Sequence, residues 1–183
     1  MREVLIELVA AHNPTDEKEK EHTASTLHFL NQHSSCTSPD NPAGHITASA
    51  WVLSPCLSNT LLTHHRKLQR WLQLGGHIEN DDSNIFEAAV REVVEESGID
   101  EINILQNSIF DIDVHLIPAR KDVKEHYHYD IRFLLKAERT NFVVSSESIE
   151  LAWVKLTEVG DLLSDESVLR MCRKSQEYCA TAY

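Results

Sequence analysis

The segment "WLQLGGHIENDDSNIFEAAVREVVEESGI", Trp71 to Ile99, decides how the 183-residue chain is read. Its second half is periodic, with Phe86, Ala89, Val90, Val93 and Val94 on one helical face. Asn84 is placed to cap that helix, with Glu87 three residues on, and Gly98 is placed to end it. Near its C-terminal end the helix carries Glu92, Glu95 and Glu96, which project from one side because residues three and four apart are surface neighbours. Like charges at this spacing each cost a helix roughly 0.2 to 0.5 kcal/mol, and carboxylates near a helix C-terminus also oppose its dipole. Spacing alone leaves two readings open. One is a solvated acidic face helped by Arg91; the other is a site for a hard divalent cation such as Mg²⁺, which takes carboxylate and water oxygens and bridges them to substrate phosphates.

The residues upstream separate the two. Gly76, Arg91-Glu92-Val93, Glu95-Glu96, Gly98 and Ile99 resemble the Nudix box, G-x5-E-x7-R-E-U-x-E-E-x-G-U with U aliphatic, the signature of hydrolases acting on nucleoside diphosphates linked to another group. Every specified position of its second half is met. In the first half Asp82 stands where the pattern has Glu, and eight residues rather than seven separate it from Arg91, so no role is carried over to Asp82.

The resemblance implies an α+β fold of Nudix type, an α/β/α sandwich with a mixed sheet over residues 44–183. It implies a metal-dependent hydrolase that cleaves a substituted pyrophosphate by water attack on phosphorus. Glu92, Glu95 and Glu96 would hold Mg²⁺ or Mn²⁺, the backbone carbonyl of Gly75 or Gly76 would complete a coordination sphere, and Arg91 would orient the glutamates through salt bridges. The general base of such enzymes is either a glutamate on a loop outside the box or a glutamate of the box itself. Glu147 and Glu150 precede the Trp153 strand, and Glu147 is the expected base because Glu150 adjoins the strand. A non-catalytic nucleotide-sensing module on the same fold is the alternative, and the intact glutamate trio favours the enzyme. A prenyl diphosphate isomerase would need a cysteine and a glutamate paired in the cleft, and none of the four cysteines sits in such a strand context.

Outside this segment the chain divides at the polar linker "NQHSSCTSPDNPAGH". Residues 1–43 read as a helical extension plus that linker: two helices, the first with Val4, Leu5, Leu8 and Val9 as its stripe, the second opened by Asn13 as cap and Pro14 in the first turn. Beyond it, "HITASAWVLSP" and "NTLLTHHR" read as paired strands, and "INILQNSIFDIDVHLIP" pairs with "HYHYDIRFLLKAE" across the charged loop "ARKDVKE". "ELAWVKL" is a further strand and "DESVLRMCRKSQEYCA" a closing amphipathic helix.

Asp111, Asp113 and His115 alternate along one strand, and His128, Asp130 and Arg132 along the next, so two polar rows face each other and are expected to line a substrate cleft. His115 and His128 are candidates for phosphate or ribose contact, and His77 beside the Gly-Gly turn is a further candidate for substrate binding. Together with His77 they also open a second metal reading, zinc, against a plain solvated strand face. Arg66, Lys67 and Arg70 precede the Gly-Gly turn, where cations meet phosphates or simply keep the surface soluble.

The formal charge of -12 argues against a duplex nucleic-acid partner and for a small diphosphate reached through a cation. Four cysteines without a Cys-x-x-Cys pair read as free thiols of the cytoplasm, no segment has the length of a membrane span, and a homodimer exchanging N-terminal elements is the expected assembly. There is no Gly-x-Ser-x-Gly elbow and no P-loop.

Overall fold

The computed structural model describes residues 1–120 and 124–181. Along the chain these form α1 (Arg2–Ala10), α2 (Glu17–Gln32), β1 (Gly44–Leu53), β2 (Asn59–His65), β3 (Arg70–Leu72), β4 (Leu74–His77), α3 (Ile85–Ser97), β5 (Ile102–Ile104), β6 (Asp111–Ile117), β7 (His126–Ala137), β8 (Ser148–Lys155), α4 (Val159–Leu162) and α5 (Glu166–Thr181). Strands are hydrogen-bonded in the order β3-β2-β1-β7-β5, with β4 on β1, β6 on β7 and β8 on β2. This is the expected α+β class with N-terminal helices.

Two compact units make up the chain, each discontinuous in sequence. The first comprises Met1–Ser49, Gly76–Ala89 and Ser108–Phe133; the second comprises Ala50–Gly75, Val90–Asn107 and Leu134–Tyr183. In the first, α1 packs on α2 and α2 on β6. Leu5, Val9, Phe29, Leu30, Ile46, Ile112 and Ile131 form its core, and Phe29 stacks on Tyr129 with ring centroids 4.1 Å apart. The second buries Leu53, Leu61, Leu62, Val93, Leu134, Leu135 and Met171. Each fully buried side chain of this size contributes about 1.5–3 kcal/mol.

Helix α2 starts later than expected. Asp16, not Asn13, is its cap: the carboxylate accepts from the Glu19 N–H at 2.7 Å, while the Glu19 carboxylate accepts from the Thr15 N–H at 2.6 Å and the Thr15 hydroxyl at 2.9 Å. Asp16-x-x-Glu19 thus forms a capping box shifted back by one residue, and Asn13, preceding Pro14, is biased toward extended backbone.

The β1–β2 hairpin forms as expected, with Leu53 opposite Thr60 and Leu57 in the left-handed region at φ 59°. The single long strand expected from Ile102 to Ile117 is broken into β5 and β6. Both pair antiparallel with β7, but residues 105–110 lie opposite only 133–134, and pairing resumes as Leu105 N–H reaches Leu134 O and Phe110 N–H reaches Arg132 O. The short β3 and β4 have no counterpart in the sequence reading. The charged loop Ala119 to Glu125 lies partly outside the described residues, at 121–123. All four cysteines are unpaired, and no helix among the described residues is long and apolar enough to cross a membrane.

Candidate functional site

Helix α3 is built as its sequence implies. Asn84 Oδ1 accepts from the Glu87 N–H at 3.0 Å, and Gly98 ends the helix at φ 69°. The longer loop before it closes on Asp82, whose carboxylate accepts from the Glu79 N–H at 2.7 Å. The Asp82 N–H returns to the Glu79 carbonyl at 3.2 Å, so residues 79–82 form a turn.

Those last turns carry the acidic cluster, within the second unit. Arg91 Nη1 donates to Glu92 Oε1 at 2.9 Å and to Glu95 Oε2 at 3.0 Å, so one guanidinium spans two of the three glutamates. Glu96 is buried, with Oε1 accepting from the Gly75 N–H at 3.2 Å. Gly75 sits at φ 153°, a conformation that side-chain-bearing residues rarely take. Burial pushes the Glu96 carboxyl up to about 8; the Gly75 N–H opposes the shift, and the charges of Glu92, Glu147 and Glu95 add to it. Glu92 is raised as well, chiefly by burial against the pull of Arg91, with Glu95 and Glu147 adding repulsion.

Glu147 therefore belongs to the electrostatic surroundings of the trio, whereas Glu150 lies in β8 opposite His64. Arg66 holds the Glu147 loop to the edge of β2. Its Nε donates to Ser146 O at 3.0 Å, its Nη2 to Ser148 O at 2.7 Å, and its N–H to Glu147 O at 2.9 Å. These bonds place the guanidinium on backbone carbonyls. Arg70, in β3, approaches Asp165 at 3.8 Å and is half exposed.

An Arg66→Ala substitution is expected to free the Ser145–Ser148 segment, with hydrogen exchange at these amides rising about fivefold for roughly 1 kcal/mol of lost bonding. Arg66→Lys should fail to restore protection, because an ammonium cannot reproduce the fork. Exchange unchanged in both variants would mean that the loop is held by something else.

The remaining expected site residues gather in the first unit. In the β6–β7 register Asp111 faces Arg132, Asp113 faces Asp130 and His115 faces His128. The polar rows do face each other, but their Asp/Arg half lines no cleft. Arg132 is buried and donates from Nε to Asp130 Oδ2 at 2.7 Å and from Nη1 to Asp111 Oδ2 at 3.1 Å, with Nη2 3.4 Å from Asp113 Oδ2. Asp130 Oδ1 accepts from Thr47 Oγ1 at 2.9 Å and Ser49 Oγ at 2.7 Å. Burial would raise the carboxyls of Asp113 and Asp130, and Arg132 outweighs it, holding both below their ordinary range. The network is closed by His22 of α2 and by His115, each with Nδ1 3.1 Å from Asp113.

His128, at the other end of the row, meets His45 at a ring-centroid distance of 4.5 Å and His77 at 5.6 Å. Burial and the neighbouring imidazoles lower His45 to about 4 and His128 to about 3, so both are neutral at ordinary pH. His45 was not anticipated. The signal that finds it is the alternation His45, Thr47, Ser49 along β1, a polar row inside a strand that is buried at every position.

The structure thus shows an α+β fold in which one helix carries three glutamates near its C-terminal end, one of them bonded to the Gly-Gly strand. The family follows from the sequence: the NUDIX domain model matches residues 43–171, and the chain belongs to that family. Similar solved structures include a hydrolase of the NUDIX family from Clostridium perfringens, with TM-score 0.58 and 20% identity over 73% of this chain and 97% of that one. A C. elegans Ap4A hydrolase in a binary complex gives TM-score 0.52 and 16% identity over 74% and 98%. The NUDIX domain of Shewanella oneidensis NrtR complexed with ADP ribose gives 0.54 and 14% over 83% and 97%. At these identities the likeness is one of fold. No curated protein matches the sequence significantly.

Proposed function

We propose that the chain is a divalent-metal-dependent hydrolase of substituted pyrophosphates, compounds in which a nucleoside diphosphate or related diphosphate is joined to a second group. The observation that carries this is the burial of Glu96 against the Gly75 N–H beside the other glutamates of the helix: burial, with the charges of Glu92, Glu147 and Glu95 adding to it, pushes its carboxyl up to about 8. A protein gains nothing in stability from such an arrangement, and a hard cation offsets its cost.

The donor set fits Mg²⁺ or Mn²⁺: carboxylates of Glu92, Glu95 and Glu96, with the Gly75 carbonyl from the adjoining strand. When bound, such an ion neutralises the diphosphate and lowers the barrier to attack at phosphorus. Arg91, already spanning Glu92 and Glu95, fixes their carboxylates so that little reorganisation is left for the reaction. Glu147 takes the proton of the attacking water on its carboxylate, its loop being held by Arg66 as a positioning residue. Arg70, half exposed at the strand edge, is available to meet the second group of the substrate through a phosphate. The free thiols fit a reducing, cytoplasmic setting.

The test is a panel of dinucleotides, nucleotide sugars, modified nucleoside triphosphates and diphosphate metabolites, assayed with Mg²⁺ and with Mn²⁺. At least one compound should yield phosphate-ended products, and Glu95→Gln should lower kcat about a hundredfold on it. Tight binding of a nucleotide across the panel with no turnover of any compound would replace this reading with the nucleotide-sensing one.

A further inference from the structure

Three histidines far apart in sequence converge in the first unit: His45 at the start of β1, His77 at the end of β4 and His128 in β7. One ligand nitrogen from each lies within 4.8 Å of the other two. His45 is 1% exposed, and neither of its ring nitrogens has a hydrogen-bond partner. A buried imidazole normally satisfies its donor and its acceptor, and phenylalanine would fill this place without the cost of an unmet polar group.

We propose that His45, His77 and His128 form a transition-metal site whose natural occupant is Zn²⁺. Imidazole nitrogens suit zinc, copper and nickel, whereas Mg²⁺ prefers oxygen, so this trio selects a different ion from the glutamates of α3. A tetrahedral zinc with Zn–N of about 2.0–2.1 Å sets its ligand nitrogens roughly 3.4 Å apart. Closing from 4.8 Å to that separation takes a combined movement of the rings of about 1.4 Å.

His126 stands beside the trio with its own constraint. Its Nδ1 lies 2.8 Å from the Lys124 carbonyl, which can only accept, so the neutral ring carries its proton on Nδ1 and a lone pair on Nε2. That Nε2 is 3.3 Å from His128 Nε2, the separation of two nitrogens on one tetrahedral ion. A ring proton donated to a backbone carbonyl is also the support usual for metal-bound histidine. The ion would tie the first residues after the linker to β4 and β7, a metal clip for a unit whose β1 interior is polar on one face.

The site stands on its own residues whether or not the hydrolase reading holds. The test uses the full chain stripped of metal, titrated with Zn²⁺ against a chromophoric chelator and with Co²⁺ as a spectroscopic probe. One equivalent should bind per chain, with tetrahedral Co²⁺ bands and a melting temperature raised by several degrees. His77→Ala, at an exposed position, should melt like the metal-free wild type yet bind Zn²⁺ at least tenfold more weakly and lose the Zn²⁺-dependent rise; His128→Ala should do the same to binding. A triple Glu92→Gln, Glu95→Gln, Glu96→Gln variant should retain the equivalent. Binding of less than one equivalent, undiminished affinity in His77→Ala, or loss of the equivalent in the triple variant would each overturn the assignment.

Discussion

Glu96→Gln is expected to remove turnover and, in the metal-free protein, to raise stability. Both effects have one cause. Glu96 is buried, accepts one backbone N–H, and shares its surroundings with Glu92, Glu95 and Glu147, so its folded-state carboxyl is raised to about 8 against an ordinary 4.5. A carboxyl raised on folding contributes stability that is complete below the unfolded value and is lost as pH rises toward the folded value. The metal-free wild type should therefore weaken between about pH 4.5 and 8. Glutamine keeps the acceptor for Gly75 and has no proton to lose, so the stability gap between variant and wild type opens over that same window and is flat above it. At the plateau it amounts to a few kcal/mol, or roughly 5 to 10 °C in Tm for a chain of this size. Saturating Mg²⁺ should raise the wild-type Tm more than that of the variant, narrowing the gap, while kcat of the variant falls about a hundredfold or more. Thermal scans from pH 4.5 to 9, with and without Mg²⁺, read the stabilities, and a turnover assay with Mg²⁺ reads kcat. A Gln variant that is less stable than wild type at pH 8, or that turns over at the wild-type rate, would remove Glu96 from the cation site.

This opposition between stability and chemistry explains why the glutamate helix was legible from sequence while its surroundings were not. The apolar stripe of α3, the Asn84 cap and the Gly98 terminator are all written within a few residues of one another, and the structure follows them. The same locality made the β1–β2 hairpin and α5 readable. It also placed Asp111, Asp113 and His115 opposite Arg132, Asp130 and His128, because antiparallel neighbours of matched alternation share a face. What alternation does not encode is the cover over that face. Hydroxyls of Thr47 and Ser49 and the ring of His22 come from elements some ninety residues away or fewer, and they convert an expected cleft lining into a sealed ion network. His45 was missed for the same reason: its meaning depends on His77 and His128, which only the tertiary fold supplies. The short strands β3 and β4, and the break between β5 and β6, were missed because segments of three or four residues carry no readable period.

The sealed network should be the most fragile point of the molecule. In it one guanidinium faces three carboxylates, Asp111, Asp113 and Asp130, all buried, with His22 and His115 at the margin. Arg132→Met keeps much of the volume and strands the carboxylates without their cation. Breaking a single buried pair costs about 3–5 kcal/mol, and three acceptors are left here, so Tm should fall by at least roughly 10 to 20 °C. A cavity alone would also destabilise, but its cost does not depend on pH. In the wild type Arg132 holds Asp113 and Asp130 below their ordinary range, so their contribution is present at neutral pH and is lost only as pH falls below the unfolded value near 3.8. Without Arg132, burial takes over and raises both carboxyls, and the sign reverses: stability is then lost as pH rises above that value. Arg132→Met should accordingly gain on the wild type as the medium is brought from pH 7 to 5. Asp130→Asn in the wild-type background, which keeps an acceptor for Thr47 and Ser49, should cost less and fold in any case. Adding it to Arg132→Met should recover part of the loss by removing one stranded charge. A Met variant that melts within a few degrees of wild type with an unchanged acid slope would mean that the three aspartates draw their stability from water, not from Arg132.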